Sequence, residues 1–206
     1  MKKLTYFFDL LSPFSFFAWI NHSRLKDVEL DYKPVLMGSL FSYFDFKGPG
    51  EIKVKRNYEL KKAFRYAFKN QIDFKPPRVF PFNPLAIDRC ATLSAAGVHQ
   101  KQVIDLLFKK IWQESMVLDD PEKIKQVLSE AQLPPEIFEK AFAREAKQEL
   151  KQNIKLAQEH NIFGVPTFLV GEEYFWGNDS LEDLENYLQG RDNFNRDYYN
   201  ELISES

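Results

Sequence analysis

The chain of 206 residues is 44% hydrophobic and 16% aromatic, enough for one domain with a sizeable core, or for one domain carrying an insertion. Its 28 basic and 30 acidic residues leave a net charge of −2, which supplies no field for nucleic acid or for an anionic membrane surface. A single cysteine, Cys90, excludes an intrachain disulfide, a CxxC redox pair and a cysteine-based metal cluster.

Lys2-Lys3 ahead of the apolar residues 4–20 imitates a secretory leader. Asp9 sits in the middle of that stretch, Ser12, Pro13 and Ser15 interrupt it, and no small-x-small cleavage site precedes Asn21. The segment therefore reads as folded core. With no other stretch near the length of a membrane span and no disulfide, a reducing, cytoplasmic compartment is expected.

Residues 4–9 are short, aromatic and β-compatible, and Ser12-Pro13 breaks them, which predicts a buried first strand ending in a turn. From Pro13 to about Lys26 the pattern is helical, with Pro13 in the first turn and Ser12 as N-cap. Residues 28–36 alternate apolar and polar as a half-buried strand does. After the Gly/Pro-interrupted loop 46–50, almost everything to about His160 reads as helix. Helix starts are signalled at Asn83-Pro84 and Asp120-Pro121, and Pro134-Pro135 opens a long charged helix running toward Glu159. Residues 166–171 and 173–176 form a hairpin, followed by a helix over about 179–188. The order is βαβ, a helical insertion, then ββα. Residues 1–40 and 160–190 make the sheet-bearing domain, 41–159 the insertion, and 191–206 a polar, loosely attached tail.

The junction of the first strand and first helix is where chemistry is expected. Free N–H groups and the positive dipole end of a helix favour an anion there by roughly 0.3–1 kcal/mol, and more when partly buried. A thiol of pKa about 8.5 gains thiolate character at such an end. With Ser12 and Ser15 at the junction and no cysteine, the sulfur would have to come from outside, and the Ser12 hydroxyl is placed to donate to it. Ser12 is also explained as an ordinary cap. Gly164-Val165-Pro166-Thr167 reads as a proline-directed turn, either cis or trans at Pro166. His22, His99 and His160 have no metal-ligand spacing, so no metal is expected, and Cys90 reads as a small buried side chain.

Four segments in order, residues 8–16 (FDLLSPFSF), 55–58 (KRNY), 164–168 (GVPTF) and 175–179 (FWGND), resemble the 2-hydroxychromene-2-carboxylate isomerase family. That family is related to kappa-class glutathione transferases and belongs to the DsbA-like branch of the thioredoxin fold. The resemblance runs from Leu4 to about Leu188. It implies an α/β thioredoxin-like fold with a large all-helical insertion, a glutathione site between the two parts, and Ser12 as the residue contacting the glutathione sulfur. It further implies that Val165, before a cis Pro166, pairs its backbone with the cysteinyl part of glutathione. Trp176, Gly177, Asn178 and Asp179 would hold the γ-glutamyl end, with Asp179 pairing the ammonium, and Lys55 would lie near a carboxylate of cofactor or substrate.

Phe14, Phe80 and Phe82, with Phe41 and Phe44, are candidates for an aromatic substrate pocket, a Phe-rich core being the ordinary alternative. Phe46-Lys47-Gly48-Pro49 departs from relatives that carry an asparagine in this loop, which leaves the acceptor substrate open. The implied function is a glutathione-dependent isomerase acting on an aromatic electrophile, with a kappa-like glutathione transferase or a non-catalytic binding module as rivals. A disulfide oxidoreductase is disfavoured because both redox cysteine positions are serine. A homodimer formed through the insertion is left open.

Overall fold

The computed structural model describes residues 1–204; residues 205 and 206, the end of the predicted tail, lie outside the described residues. Strand β1 (Lys2–Phe8) begins with two exposed lysines and is mostly apolar and buried from Leu4 on, because both of its faces are covered there. Tyr6 and Phe8 enter one core and Phe7, pointing the other way, enters a second with Val35, Leu40, Ile162 and Val165. Four strands form the sheet in the order β2-β1-β3-β4, with β2 (Val28–Pro34) parallel to β1. Strand β3 (Thr167–Val170) runs antiparallel to β1, and β4 (Glu173–Trp176) antiparallel to β3. The right-hand half of the sheet is thus the predicted hairpin.

Helix α1 (Pro13–Asn21) begins as expected: Pro13 occupies the first turn and the Ser12 side chain accepts from the Ser15 amide. It ends five residues earlier than the sequence suggested. Asn21 turns its amide back to the Phe17 carbonyl and the Tyr66 hydroxyl, and a 3-10 turn over His22–Arg24 carries the chain away. Buried on nearly all sides, α1 has the uniformly apolar composition of a core helix.

Between β2 and β3 lie α2 (Met37–Tyr43), which straddles the expected start of the insertion at residue 41, then α3 (Lys53–Lys69), α4 (Leu85–Cys90), α5 (Leu93–Ala96), α6 (Gln100–Trp112), α7 (Pro121–Glu130), α8 (Glu136–Ala141) and α9 (Arg144–Glu159). Helix α10 (Leu181–Leu188) closes the sheet's edge, and α11 (Arg196–Ser204) follows. Three expectations need correction. Residues 70–84 are irregular, because Pro76, Pro77, Pro81 and Pro84 remove the amides a helix would need, and Phe80–Pro81 is cis. The long helix from Pro135 is broken: Phe142 and Ala143 close with tight bonds to the carbonyls of Glu139 and Lys140, and Ala143 turns extended. That turn lets Ile137, Phe138 and Ala141 bury on one side and Ala146 and Leu150 on another. The tail carries α11, whose Arg196 ion-pairs with Glu173 on β4.

One cap illustrates how local chemistry sets these boundaries. Asp120 accepts from the Glu122 amide with Pro121 at the first helical position, so Asp120→Ala should destabilise the protein by about 1 kcal/mol in denaturant unfolding. An unchanged midpoint would show that α7 is held by packing alone.

The main core joins sheet and insertion without a gap. Tyr6 stacks between Phe8 and Phe168, Phe8 meets Phe108 of α6, and Phe16 meets both Phe108 and Phe74. Polar ties reinforce this contact: Asn153 of α9 donates to the Pro34 carbonyl, and Gln100 donates to the carbonyls of Tyr32 and Ala91.

Candidate active site

The loop from β1 to α1 is folded by its own polar groups. Asp9 is buried, and its two carboxylate oxygens accept from the amides of Leu11 (2.8 Å) and Met37 (2.9 Å), fastening the loop to the start of α2. The Ser12 amide donates to the Asp9 carbonyl at 2.9 Å. Ser12 Oγ accepts from the Ser15 amide at 3.1 Å, while its own O–H reaches only the Val165 carbonyl, at 3.5 Å. The hydroxyl proton is therefore nearly unengaged, beside the amide end of α1. Ser15 sits one turn on, fully buried, its hydroxyl without a partner among the described residues. It faces no ligand space.

Across the cleft lies Gly164-Val165-Pro166, with the Val165–Pro166 bond cis. The Thr167 hydroxyl donates to the Gly164 carbonyl, and the Gly177 amide donates to the Pro166 carbonyl at 2.8 Å, so both sides of the turn are clamped. Val165 lies just beyond the pairing of β1 with β3, and its amide makes no hydrogen bond among the described residues. Gly177 has φ +95°, and a Cβ there would fall 2.4 Å from Asp179 Oδ1, so this backbone requires glycine to present Asn178 and Asp179 as it does. Asn178 is buried, yet its side-chain amide has no hydrogen-bond partner within the chain among the described residues.

These segments border one cleft of about 870 Å³. Ser12, Phe14, Lys55, Phe80, Phe82, Val165, Pro166, Trp176, Gly177, Asn178 and Asp179 all line it, as does Phe41. Phe44 does not: it stands just past the last residue of α2, and its ring packs edge-on against Tyr43. Phe82 is largely buried and contributes only an edge. One wall of the cleft comes from the loop over residues 46–50. The Phe41 ring lies against Gly48, where a Cβ would stand 1.9 Å from it, and packs with Phe46 at 5.1 Å. From α3, Lys55, Arg56 and Lys62 reach the same cleft, with the Lys62 ammonium 5.2 Å from the centre of the Phe14 ring.

The sequence reading did not single out Asp9, Phe46, Lys62 or Phe163 for the site, although a carboxylate inside an apolar strand end was a visible signal at Asp9. Burial pushes the Asp9 carboxyl up to about 6, against the lowering effect of the Met37 and Leu11 amides. Asp88, fully buried on α4, is raised well above the ordinary range by burial first and by the Asp9 charge second. One Asp88 oxygen accepts from the Leu10 amide at 3.2 Å and the other has no partner. Burial and the neighbouring Asp88 push the Cys90 thiol up to about 12, which removes it as a nucleophile.

A stability effect follows from Asp9. Its folded-state pKa stands above the unfolded value of 3.8, so the folded protein holds this proton more tightly. The contribution is fully present below about pH 4 and is lost as pH rises through about 6, a change of about 3 kcal/mol. Denaturant unfolding at pH 4 and pH 7.5 should show the wild type losing that much relative to Asp9→Asn. Parallel pH profiles for the two proteins would contradict it.

Comparisons with known proteins bear on the fold and family. The model of the DSBA-like thioredoxin domain matches residues 3–189. The 2-hydroxychromene-2-carboxylate isomerase of Sphingobium xenophagum is 26% identical over 195 residues, covering 91% of this chain and 98% of that protein. The enzyme of the same name from Pseudomonas putida is 29% identical over 195 residues, covering 89% and 92%. A solved structure of a 2-hydroxychromene-2-carboxylate isomerase superposes with a TM-score of 0.79 at 24% identity, covering 91% of this chain and 94% of that one. The cytosolic disulfide reductase DsbM of Pseudomonas aeruginosa, solved with GSH, shares the fold at 11% identity with a TM-score of 0.65, covering 92% and 98%. With a sheet of order β2-β1-β3-β4, a helical insertion and serines at both ends of its SPFS turn, the chain belongs to the DSBA-like thioredoxin domain family, as a distant homologue of the 2-hydroxychromene-2-carboxylate isomerases.

Proposed function

We propose that this protein is a glutathione-dependent isomerase acting on a small aromatic electrophile, in the manner of its 2-hydroxychromene-2-carboxylate isomerase relatives. The observation that carries the reading is the Ser12 hydroxyl, which caps α1 with its oxygen and spends its proton only on a 3.5 Å contact to the Val165 carbonyl. Bound glutathione would supply a thiolate that adds reversibly to a conjugated system, turning a double bond into a rotatable single bond.

This chain's residues divide the remaining work. Ser12 Oγ–H and the amide end of α1 hold the sulfur's negative charge. Val165 offers its free amide and its carbonyl to an extended peptide, as an added strand would be received. Asn178, buried with an unengaged amide, and Asp179 at the start of the turn into α10 receive an amino-acid end, the Asp179 carboxylate taking the ammonium. Lys55 on α3 takes a carboxylate, and Phe14, Phe80 and Phe82 with Phe41 and Phe46 give a flat apolar wall to an aromatic ring. The polar half of the cleft fits a tripeptide thiol and the aromatic half fits its reaction partner.

Calorimetric titration tests the cofactor directly. Glutathione and S-methylglutathione should both bind at or below millimolar concentration; a protein that binds neither contradicts the reading.

A further inference from the structure

Beneath Ser12 lies a pair of buried carboxyl groups that the function above does not use. Asp9 lines the cleft three residues before Ser12, and its carbonyl accepts the Ser12 amide. Both of its carboxylate oxygens are oriented by backbone amides, as an anion's would be. Asp88 comes from α4, 79 residues away in sequence, with one oxygen on the Leu10 amide and the other orphaned in the core. A fully buried carboxyl with an oxygen orphaned among the described residues, and with the Asp9 charge acting on it, fits a neutral Asp88 that keeps its proton. The pair therefore presents one fixed proton and one open proton position, in the floor of the site.

We propose that Asp9 accepts the proton released by the thiol that seats at Ser12, while Asp88 stays protonated as its neutral partner. This rests on the glutathione reading above. The step balances: the S–H bond breaks, the electron pair stays on sulfur, and the proton forms an O–H bond on the Asp9 carboxylate. Charge moves from oxygen to sulfur and the net charge of the site is unchanged. Two anions close together in one buried floor would repel each other, so formation of the thiolate raises the proton affinity of Asp9, which sits in the same loop as Ser12 with its oxygens on the Leu11 and Met37 amides.

The surroundings leave Asp9 as the acceptor. From α4 it faces Asp88, and Cys90 faces Asp88 in turn. The β1–α1 loop and α2 offer it only backbone amides. Elsewhere in the cleft the charged groups are the cations Lys47, Lys55, Arg56 and Lys62 and the acids Glu51, Glu59 and Asp179. All but the half-buried Arg56 and Glu59 are exposed, and none of them is in the buried floor with Asp9.

The test is a proton inventory, measured by calorimetry of glutathione binding in buffers of different ionisation enthalpy, alongside the ultraviolet absorbance of the bound thiolate. S-methylglutathione, which has no thiol proton, reports binding alone. At pH 7.5 the wild type should form thiolate while releasing almost no proton to buffer; below about pH 6, where Asp9 is already protonated in the free protein, release should rise toward one proton per glutathione. Asp9→Asn should release that proton at pH 7.5 as well, and Asp88→Asn, which mimics a neutral Asp88, should behave as wild type. The wild-type pH profile stands without either variant, should Asp9→Asn fail to fold. Full proton release by the wild type at pH 7.5, or an Asp88→Asn variant that releases as much as Asp9→Asn, overturns the assignment. If neither glutathione nor S-methylglutathione binds, the glutathione reading falls and this inference falls with it.

Discussion

Ser12→Ala is expected to lower the thiolate fraction of bound glutathione, and with it turnover, by roughly 10- to 100-fold. A hydrogen bond to a charged sulfur is worth roughly 1.5–3 kcal/mol, and each 1.4 kcal/mol is a factor of ten. The same substitution removes the cap that accepts the Ser15 amide, at a stability cost of about 1 kcal/mol. Ser15→Ala separates the two effects. Its hydroxyl is buried with no partner, so its loss leaves thiolate and turnover unchanged and stability neutral or slightly improved. The pattern to look for in ultraviolet and kinetic measurements is therefore a large loss at position 12 and none at 15. Equal losses at both serines would mean that the variants act by loosening α1 rather than by removing a donor to sulfur.

The second large effect concerns the joint between insertion and site. Trp112 ends α6 fully buried, stacked on Phe74 at 5.6 Å and edge-on to Phe80. Its indole N–H donates at 2.9 Å to the carbonyl of Leu10, the residue after Asp9. Trp112→Ala should destabilise by about 3–5 kcal/mol, equivalent to a melting-temperature fall of roughly 6–20 °C. Trp112→Phe keeps most of the packing but strands the Leu10 carbonyl, at a cost of about 1–3 kcal/mol. Because that carbonyl belongs to the loop carrying Ser12, the Phe variant should also weaken glutathione binding. A Trp112→Ala protein within 1 kcal/mol of wild type would show that the insertion and the sheet fold independently.

The parts of this molecule that were legible in its sequence are those written in neighbouring residues. Ser12-Pro13 and Asp120-Pro121 each pair a capping oxygen with a residue whose missing amide costs a helix nothing, and both helices start there. The alternation of residues 28–34 and the apolar run of β1 follow from how many faces each strand covers. The break at Phe142-Ala143 carried no proline or glycine; both helices pack on α4 and α5, but α8 also meets α7 while α9 also meets α2 and β2, which only the assembled core decides. The tail helix α11 escaped notice because its polar composition masked Tyr198 and Leu202 four residues apart.

The site divides along the same line. The residues gathered into the cleft from the four motif segments are close to their turns in sequence, and the structure brings them to one place. Asp88 could not be found that way, since nothing near it marks a residue that will meet Asp9. Phe46 and Gly48 were visible only as a departure, and their physical content, a ring clamped against a glycine to make one wall, needed three dimensions. Phe44 illustrates the converse: one more aromatic residue in a cluster, placed past the end of α2 and packed on Tyr43 instead of lining the cleft.

The measurement closest to the central claim is the conversion of 2-hydroxychromene-2-carboxylate to the benzylidenepyruvate isomer, followed spectroscopically with and without glutathione. The geometry around Ser12 and Val165 predicts conversion that requires glutathione, is not supported by S-methylglutathione, and falls steeply in Ser12→Ala. Conversion that proceeds equally well without the thiol, or none at all with glutathione bound, would contradict it.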